Sequence, residues 1–129
     1  VLDCSDNFST REAVNAACVA AGKPLISGAA IRLEGQLSVF DPRRAESPCY
    51  HCLYGHGSDT ELTCSEAGVV GPLVGLVGSL QALEALKLLA GFGEPLVGRL
   101  LLIDALTTRF RELRVKRDPG CSVCGAHHG

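Results

Sequence analysis

Two cysteine pairs, Cys49-Tyr50-His51-Cys52 and Cys121-Ser122-Val123-Cys124, bracket the long middle of this 129-residue chain. Two intervening residues let a tight turn aim both sulfurs of a pair at one point, and two such pairs complete the tetrahedron that Zn²⁺ prefers. Four protein sulfurs leave no open position, so the predicted site is structural rather than catalytic. Compact zinc ribbons separate their pairs by about 15–20 residues; here everything from Leu53 to Gly120 intervenes. Cys49, Cys52, Cys121 and Cys124 are therefore expected to clip a loop to the C-terminal tail of a larger fold.

A hydrophobic content of 47% supports one packed domain. The net charge of −2 offers no general attraction to nucleic acid or an anionic membrane, so neither is expected as a partner. With four of seven cysteines assigned to metal, Cys4, Cys18 and Cys64 remain as free thiols, which fits a reducing, cytoplasmic compartment. No basic segment followed by an apolar core and a cleavage site opens the chain, so a signal peptide is unsupported. The chain contains no methionine and begins on Val1-Leu2-Asp3-Cys4, which reads as a buried strand. A natural protein extending further toward the N-terminus is expected.

After that strand, the spacing of Ser9 and Glu12 predicts a capping box, and a helix with an apolar stripe runs to Gly22-Lys23-Pro24. Leu25 to Ile31 and Gln36 to Phe40 read as two further strands, and strand–helix–strand is the signature of a parallel sheet. From Arg43 to Cys64 there is no apolar period, which predicts a long loop carrying the first cysteine pair. Ala67 to Leu89 is almost wholly apolar. Its uncharged run, Ala67 to Leu83, is 17 residues, at the low edge of the range of about 17–25 that spans a bilayer. A buried helix is favoured instead, with Gly71, Gly75 and Gly78 permitting close packing against the sheet or a second subunit. Leu100 to Ile103 and Phe110 to Lys116 read as a hairpin turning around Asp104 to Thr108.

Asp6 follows the first strand and precedes the helix, where ligands bind in open parallel sheets. With Asn7 beside it, it can hold Mg²⁺ on a nucleotide's phosphates; turn formation explains both residues as well. Cys64 precedes the long helix, a position that lowers a thiol's pKa and suits a nucleophile, although an unreactive loop cysteine is the plainer reading. Cys4 and Cys18 read as small core residues. His51, His56, His127 and His128 are expected in solvent. Arg109, Arg111, Arg114, Lys116 and Arg117 suit either an acidic partner or the wet face of an edge strand.

Taken in order, several stretches resemble the C-terminal half of the MoeB/ThiF adenylyltransferases, relatives of ubiquitin-activating enzymes. They are Asp3-Cys4-Ser5-Asp6-Asn7 with Arg11, Ser27-Gly28-Ala29-Ala30 with Glu34-Gly35-Gln36, Pro48 to Cys52, Thr63 to Val69, Gly78 to Ala85, and Pro119 to Gly125. The resemblance implies an α/β fold, the C-terminal half of a Rossmann-like and mostly parallel sheet, ending in an antiparallel hairpin and a structural zinc site. It implies ATP- and Mg²⁺-dependent adenylation of the C-terminal carboxylate of a ubiquitin-like sulfur carrier ending in Gly-Gly, in molybdopterin or thiamine biosynthesis. Asp6 then matches the acidic Mg²⁺/ATP residue, with Asn7 and Arg11 in the same motif, and Cys64 matches the thiol that accepts the acyl group in the thiamine branch. A homodimer and a sulfurtransferase are the further partners implied. The nucleotide-binding N-terminal half has no counterpart among these residues, so the chain alone is expected to be inactive. The competing readings are a non-catalytic, zinc-stabilised binding module and a thiol–disulfide protein using the paired cysteines.

Overall fold

The structure, a computed structural model, describes residues 1–5, 7–54 and 68–125. Asp6, His56, Cys64, His127 and His128 lie outside the described residues. The elements run β1 (Leu2–Asp3), α1 (Phe8–Ala21), β2 (Leu25–Ile31), β3 (Glu34–Phe40), α2 (Tyr50–Tyr54), α3 (Gly71–Ala90), β4 (Arg99–Asp104) and β5 (Arg109–Arg114). The strands pair in sequence order.

β1 and β2 are parallel and joined through α1, as the strand–helix–strand pattern predicts. The other three pairings are antiparallel, so the sheet of this chain is mixed and not mostly parallel. The cause is local. Only Arg32 and Leu33 separate β2 from β3, and two residues suffice for a hairpin but not for the crossover that parallel neighbours need. Arg32 adopts a positive φ of 53° to make the turn. The β4–β5 hairpin forms where expected. β1 lies at the edge of this sheet with Asp3 buried and Val1, Leu2 and Cys4 exposed, so Cys4 is not a core residue here.

Asn7, not Ser9, caps α1: its Oδ1 accepts from the Thr10 N–H at 2.8 Å. Ser9 sits inside the first turn and donates to Asn7 Oδ1 at 3.2 Å, while Glu12 turns away toward His51. The predicted capping box does not form, because Asn7 offers an equally good acceptor two residues earlier. The helix stops at Gly22, which takes the left-handed conformation (φ 67°) and bonds back to Cys18 and Val19.

α3 covers one face of the sheet. Leu73, Val77, Gln81 and Glu84 form its buried stripe, against Ile26, Leu37, Val39 and Ile103. Its outer side is not buried: Leu76, Leu83 and Leu86 are exposed. The helix glycines do not provide the close approach, since a Cβ on Gly71, Gly75 or Gly78 would meet nothing within 4 Å. The sheet provides it instead. A Cβ on Gly28 would lie 2.4 Å from Gln81 Cδ, and one on Gly35 2.9 Å from Val77 Cγ2.

Among the described residues α3 is the one helix long and apolar enough to cross a membrane. Its polar groups are spent on the sheet and its connections. Gln81 Nε2 donates to the carbonyls of Asp3 at 3.0 Å and Ile26 at 3.3 Å. Glu84 accepts from the Leu96 N–H at 2.6 Å and pairs with Lys87 at 2.7 Å. Gly28→Ala should force Gln81 out of these bonds and destabilise the protein by about 1–3 kcal/mol, the usual cost of overpacking a core. Denaturant unfolding checks this, and a loss below about 0.5 kcal/mol would contradict the fixed contact.

Candidate metal centre and adjoining cavity

Beyond β3 the chain is steered into the first cysteine pair by a buried carboxylate. Asp41 is 1% exposed, and its oxygens accept from Arg43 N at 3.0 Å, Nε at 2.9 Å and Nη2 at 3.0 Å. The Asp41 N–H donates to Ser47 Oγ at 2.9 Å, which in turn donates to the Pro48 carbonyl. Burial pushes the Asp41 carboxyl up, but the Arg43 hydrogen bonds and the charges of Arg43 and Arg44 outweigh it and hold the pKa below the ordinary value.

Sequence periodicity read residues 43–64 as unstructured; the structure places a short helix, α2, inside them. It is too brief for an apolar period to register, yet it buries Tyr50. That ring lies 6.2 Å from Phe40 edge-on, 6.1 Å from Phe8 and 4.6 Å from Tyr54. The Tyr50 N–H donates to Asn15 Oδ1 at 2.9 Å, tying α2 to α1.

The four predicted ligands come together. Cys49, Cys52, Cys121 and Cys124 place their sulfurs within 4.8 Å of one another. Separations are 3.8 Å for Cys49–Cys52, 3.7 Å for Cys49–Cys121 and 3.4 Å for Cys52–Cys124. A tetrahedron with Zn–S bonds of about 2.3 Å has edges of about 3.8 Å, so the cluster fits zinc with little movement. Second contacts fit as well. Asn15 is buried against Cys49, where its side-chain N–H favours the thiolate. Arg117 holds the second pair, donating to the carbonyls of Cys124 at 3.3 Å and Gly125 at 2.9 Å, and to Ala45 at 3.2 Å.

Burial pushes the Cys49 thiol up to about 11, and burial followed by the Cys52 hydrogen bond pushes Cys124 higher still. At Cys121 burial also raises the pKa, but the N–H groups of Cys124 and Val123 and the neighbouring thiols bring it down to about 7. Without a cation the sulfurs of Cys49 and Cys124 would thus be costly to ionise, and a divalent ion at the centre of the cluster would reverse that penalty.

On the sheet face opposite α3, a cavity of about 180 Å³ is lined by Arg11, Ser27, Glu34, Gln36 and Tyr54 among others. Arg11 is buried and donates to Ser27 Oγ at 3.2 Å, to the Gly28 carbonyl at 2.9 Å and to the Ser5 carbonyl. Tyr54 donates its hydroxyl to Gln36 Oε1, and burial pushes its pKa up to about 12. Asp6 lies between Ser5, which Arg11 holds, and the capping Asn7. The segment with Cys64 runs from Tyr54 to Gly68, whose carbonyl accepts from Arg32 N at 2.8 Å. In the described contacts Asn7 and Arg11 are bonded internally, so they shape the flanks of Asp6.

Two expectations change here. His51 is not in free solvent: it is 28% exposed and contacted at both ring nitrogens. Arg109, Arg111, Arg114 and Lys116 are exposed, as an edge strand's wet face should be, but Arg117 has left that series to brace the cysteine pair.

A mixed α/β sheet whose middle loop and tail meet at four cysteines defines the class of protein. The chain belongs to the ThiF family, whose model matches residues 1–123. It is 54% identical over 125 residues to Molybdopterin-synthase adenylyltransferase of Escherichia coli (strain K12), covering 97% of this chain and 50% of the relative. It is 50% identical to the Sulfur carrier protein ThiS adenylyltransferase of the same organism, covering 97% of this chain and 49% of that protein. The crystal structure of E. coli MccB with ATP matches its fold with a TM-score of 0.79 at 21% identity, over 96% of this chain and 38% of MccB. The chain spans about half the length of the curated relatives it matches.

Two outcomes are expected. Purified under reducing conditions, the protein should carry one zinc per chain by metal analysis, and Cys121→Ser should lower both metal content and thermal midpoint; undiminished content would contradict the assignment. Asp41→Asn should cost about 1 kcal/mol at pH 7, a value kept small because Arg43 is exposed to solvent. The depressed native pKa stabilises the fold above the ordinary aspartate value of about 3.9, and that contribution disappears as pH falls through the native pKa. Unfolding curves of the two proteins should therefore converge in acid.

Proposed function

We propose that these residues serve an adenylyltransferase that uses ATP to activate the C-terminal glycine carboxylate of a ubiquitin-like sulfur carrier ending in Gly-Gly, ahead of sulfur transfer. The observation that carries the reading is Arg11. It ties the Ser5 carbonyl, immediately before Asp6, to Ser27 and Gly28 of β2, and it lines the open cavity at the carboxyl end of β1. In sheets with parallel strands that end is where ligands bind. The names of the two adenylyltransferase relatives support the same chemistry for the molybdopterin or the thiamine carrier.

A carboxylate is a poor acyl donor until its oxygen joins a good leaving group, and attack on the α-phosphate of ATP achieves this by releasing pyrophosphate. Bound Mg²⁺ would neutralise charge moving onto that pyrophosphate. Asp6 is the residue proposed to hold Mg²⁺ and nucleotide, with Asn7 and Arg11 fixing the backbone on either side of it. Cys64 is proposed as the acyl-accepting thiol, on the segment that follows Tyr54, a residue lining the cavity. The zinc is structural. The homodimer, the sulfurtransferase and the cytoplasmic setting belong to the same proposal, and the exposed apolar side of α3 suits a surface covered on assembly.

Because the chain covers about half of its relatives, the reaction is proposed for these residues joined to or supplied with the remaining half. Carrier-dependent ATP–pyrophosphate exchange tests it. The 129 residues alone should give no exchange, the completed enzyme should, and Asp6→Ala should lower the rate by on the order of 10²-fold or more. Cys64→Ala should keep exchange but lose any thiol-sensitive conjugate with the carrier. Full exchange by these residues alone, or by Asp6→Ala, would overturn the assignment, and carrier binding without exchange in the completed protein would favour the binding module.

A further inference from the structure

Besides the sulfurs and Arg117, a further line of contacts among the described residues crosses between the two cysteine pairs. His51 lies within the first cysteine pair and Ser122 within the second. Ser122 Oγ stands 3.3 Å from His51 Nε2, and His51 Nδ1 stands 2.8 Å from Glu12 Oε2 on α1. The carboxylate can only accept, so Nδ1 donates to it; the neutral ring then presents Nε2 as acceptor to the Ser122 hydroxyl. The order serine–histidine–carboxylate also occurs in hydrolases. Here the N–H groups of Cys121, Val123 and Cys124 are spent on Asp118 and the Cys121 sulfur, so the donors that an oxyanion site needs are taken.

What the line does is join three separated segments at one point. Glu12 and Asn15 are three residues apart and share a face of α1. Asn15 holds the Tyr50 N–H and lies against Cys49, while Glu12 holds His51. Helix α1 therefore grips the first pair twice, and His51 passes that grip across to the second. The contacts are partly sheltered, His51 being 28% and Glu12 22% exposed.

We propose that Glu12, His51 and Ser122 form a strap that fixes both cysteine pairs to α1 and to each other, and that it slows release of the bound divalent metal. This rests on the reading of the four cysteines as a zinc site. Glu12 and Ser122 are positioning residues and not ligands. For zinc to leave, one pair must swing away from the other, and with the strap in place that motion must also break the Ser122–His51 contact. Losing such a supporting partner typically weakens metal binding by about 10- to 100-fold.

The test is the rate at which zinc-loaded protein transfers its metal to a chromogenic chelator. Glu12→Ala, which removes the acceptor, and Ser122→Ala should each release zinc about 10-fold faster than the unmodified protein. The double variant should be no faster than the quicker single one, because either change opens the same strap. Ser122→Thr keeps the hydroxyl and should restore slow release, a rescue that a purely steric role for the serine would not produce. Unmodified protein without stoichiometric zinc would overturn the metal reading itself. One zinc per chain with release unchanged in both single variants would overturn the strap and leave the metal reading standing.

Discussion

A tie between residues 72 positions apart in sequence, Cys49 to Cys121, is the constraint on which the loop side of this structure depends. Closing a loop of that length removes about 4 kcal/mol of chain entropy by the usual cross-link estimate. The sheet, which pairs β3 with β4, already closes part of that span, and little apolar packing among the described residues is available for the rest. The cluster of buried residues at the tie consists of the cysteines themselves with Val19, joined by Val123 at its margin. A structural zinc, which contributes about 10–16 kcal/mol in small zinc domains, is of the right size to hold such a contact. The pattern of thiol pKa values points the same way, with one sulfur ready to ionise and its buried neighbours needing a cation before they can.

Two parts of the molecule stand in contrast. The sheet and α3 form an apolar core of Ile26, Leu37, Val39, Leu73, Val77 and Ile103 that owes nothing to metal. Residues 41–54 and the tail beyond β5 instead depend on polar anchors: Asp41 for the entry, Asn15 for α2, Arg117 for the second pair. α2 connects the two regimes, since Tyr50 packs into the core on Phe40 while Tyr54 closes the cavity beside Arg11. The four-cysteine cluster is thereby connected to the cavity through one short helix.

Features encoded by short-range rules were legible in the sequence. The cysteine pairs, the strand–helix–strand unit, the stop at Gly22 and the final hairpin each follow from spacing or turn chemistry within a few residues. Features set by a choice between neighbours were not. Ser9 and Glu12 had the spacing of a capping box, but Asn7 took the cap and freed Glu12 for His51. The glycines of α3 looked like the close-packing surface, whereas Gly28 and Gly35 of the sheet make the approach, because an apolar pattern does not say which of two facing surfaces carries the small residues. The mixed sheet was hidden by the same kind of locality: a two-residue link at Arg32-Leu33 decides the strand direction. Arg11 is the clearest addition, its motif visible in sequence and its contacts only in three dimensions.

A closed, all-sulfur metal site leaves His51 to Glu12 and Ser122, and X-ray absorption at the zinc edge of the purified protein reads its ligands. Four sulfur neighbours at about 2.3 Å, with no nitrogen or oxygen bound to the metal, are expected; a histidine nitrogen or a water in place of one sulfur would overturn the all-sulfur site.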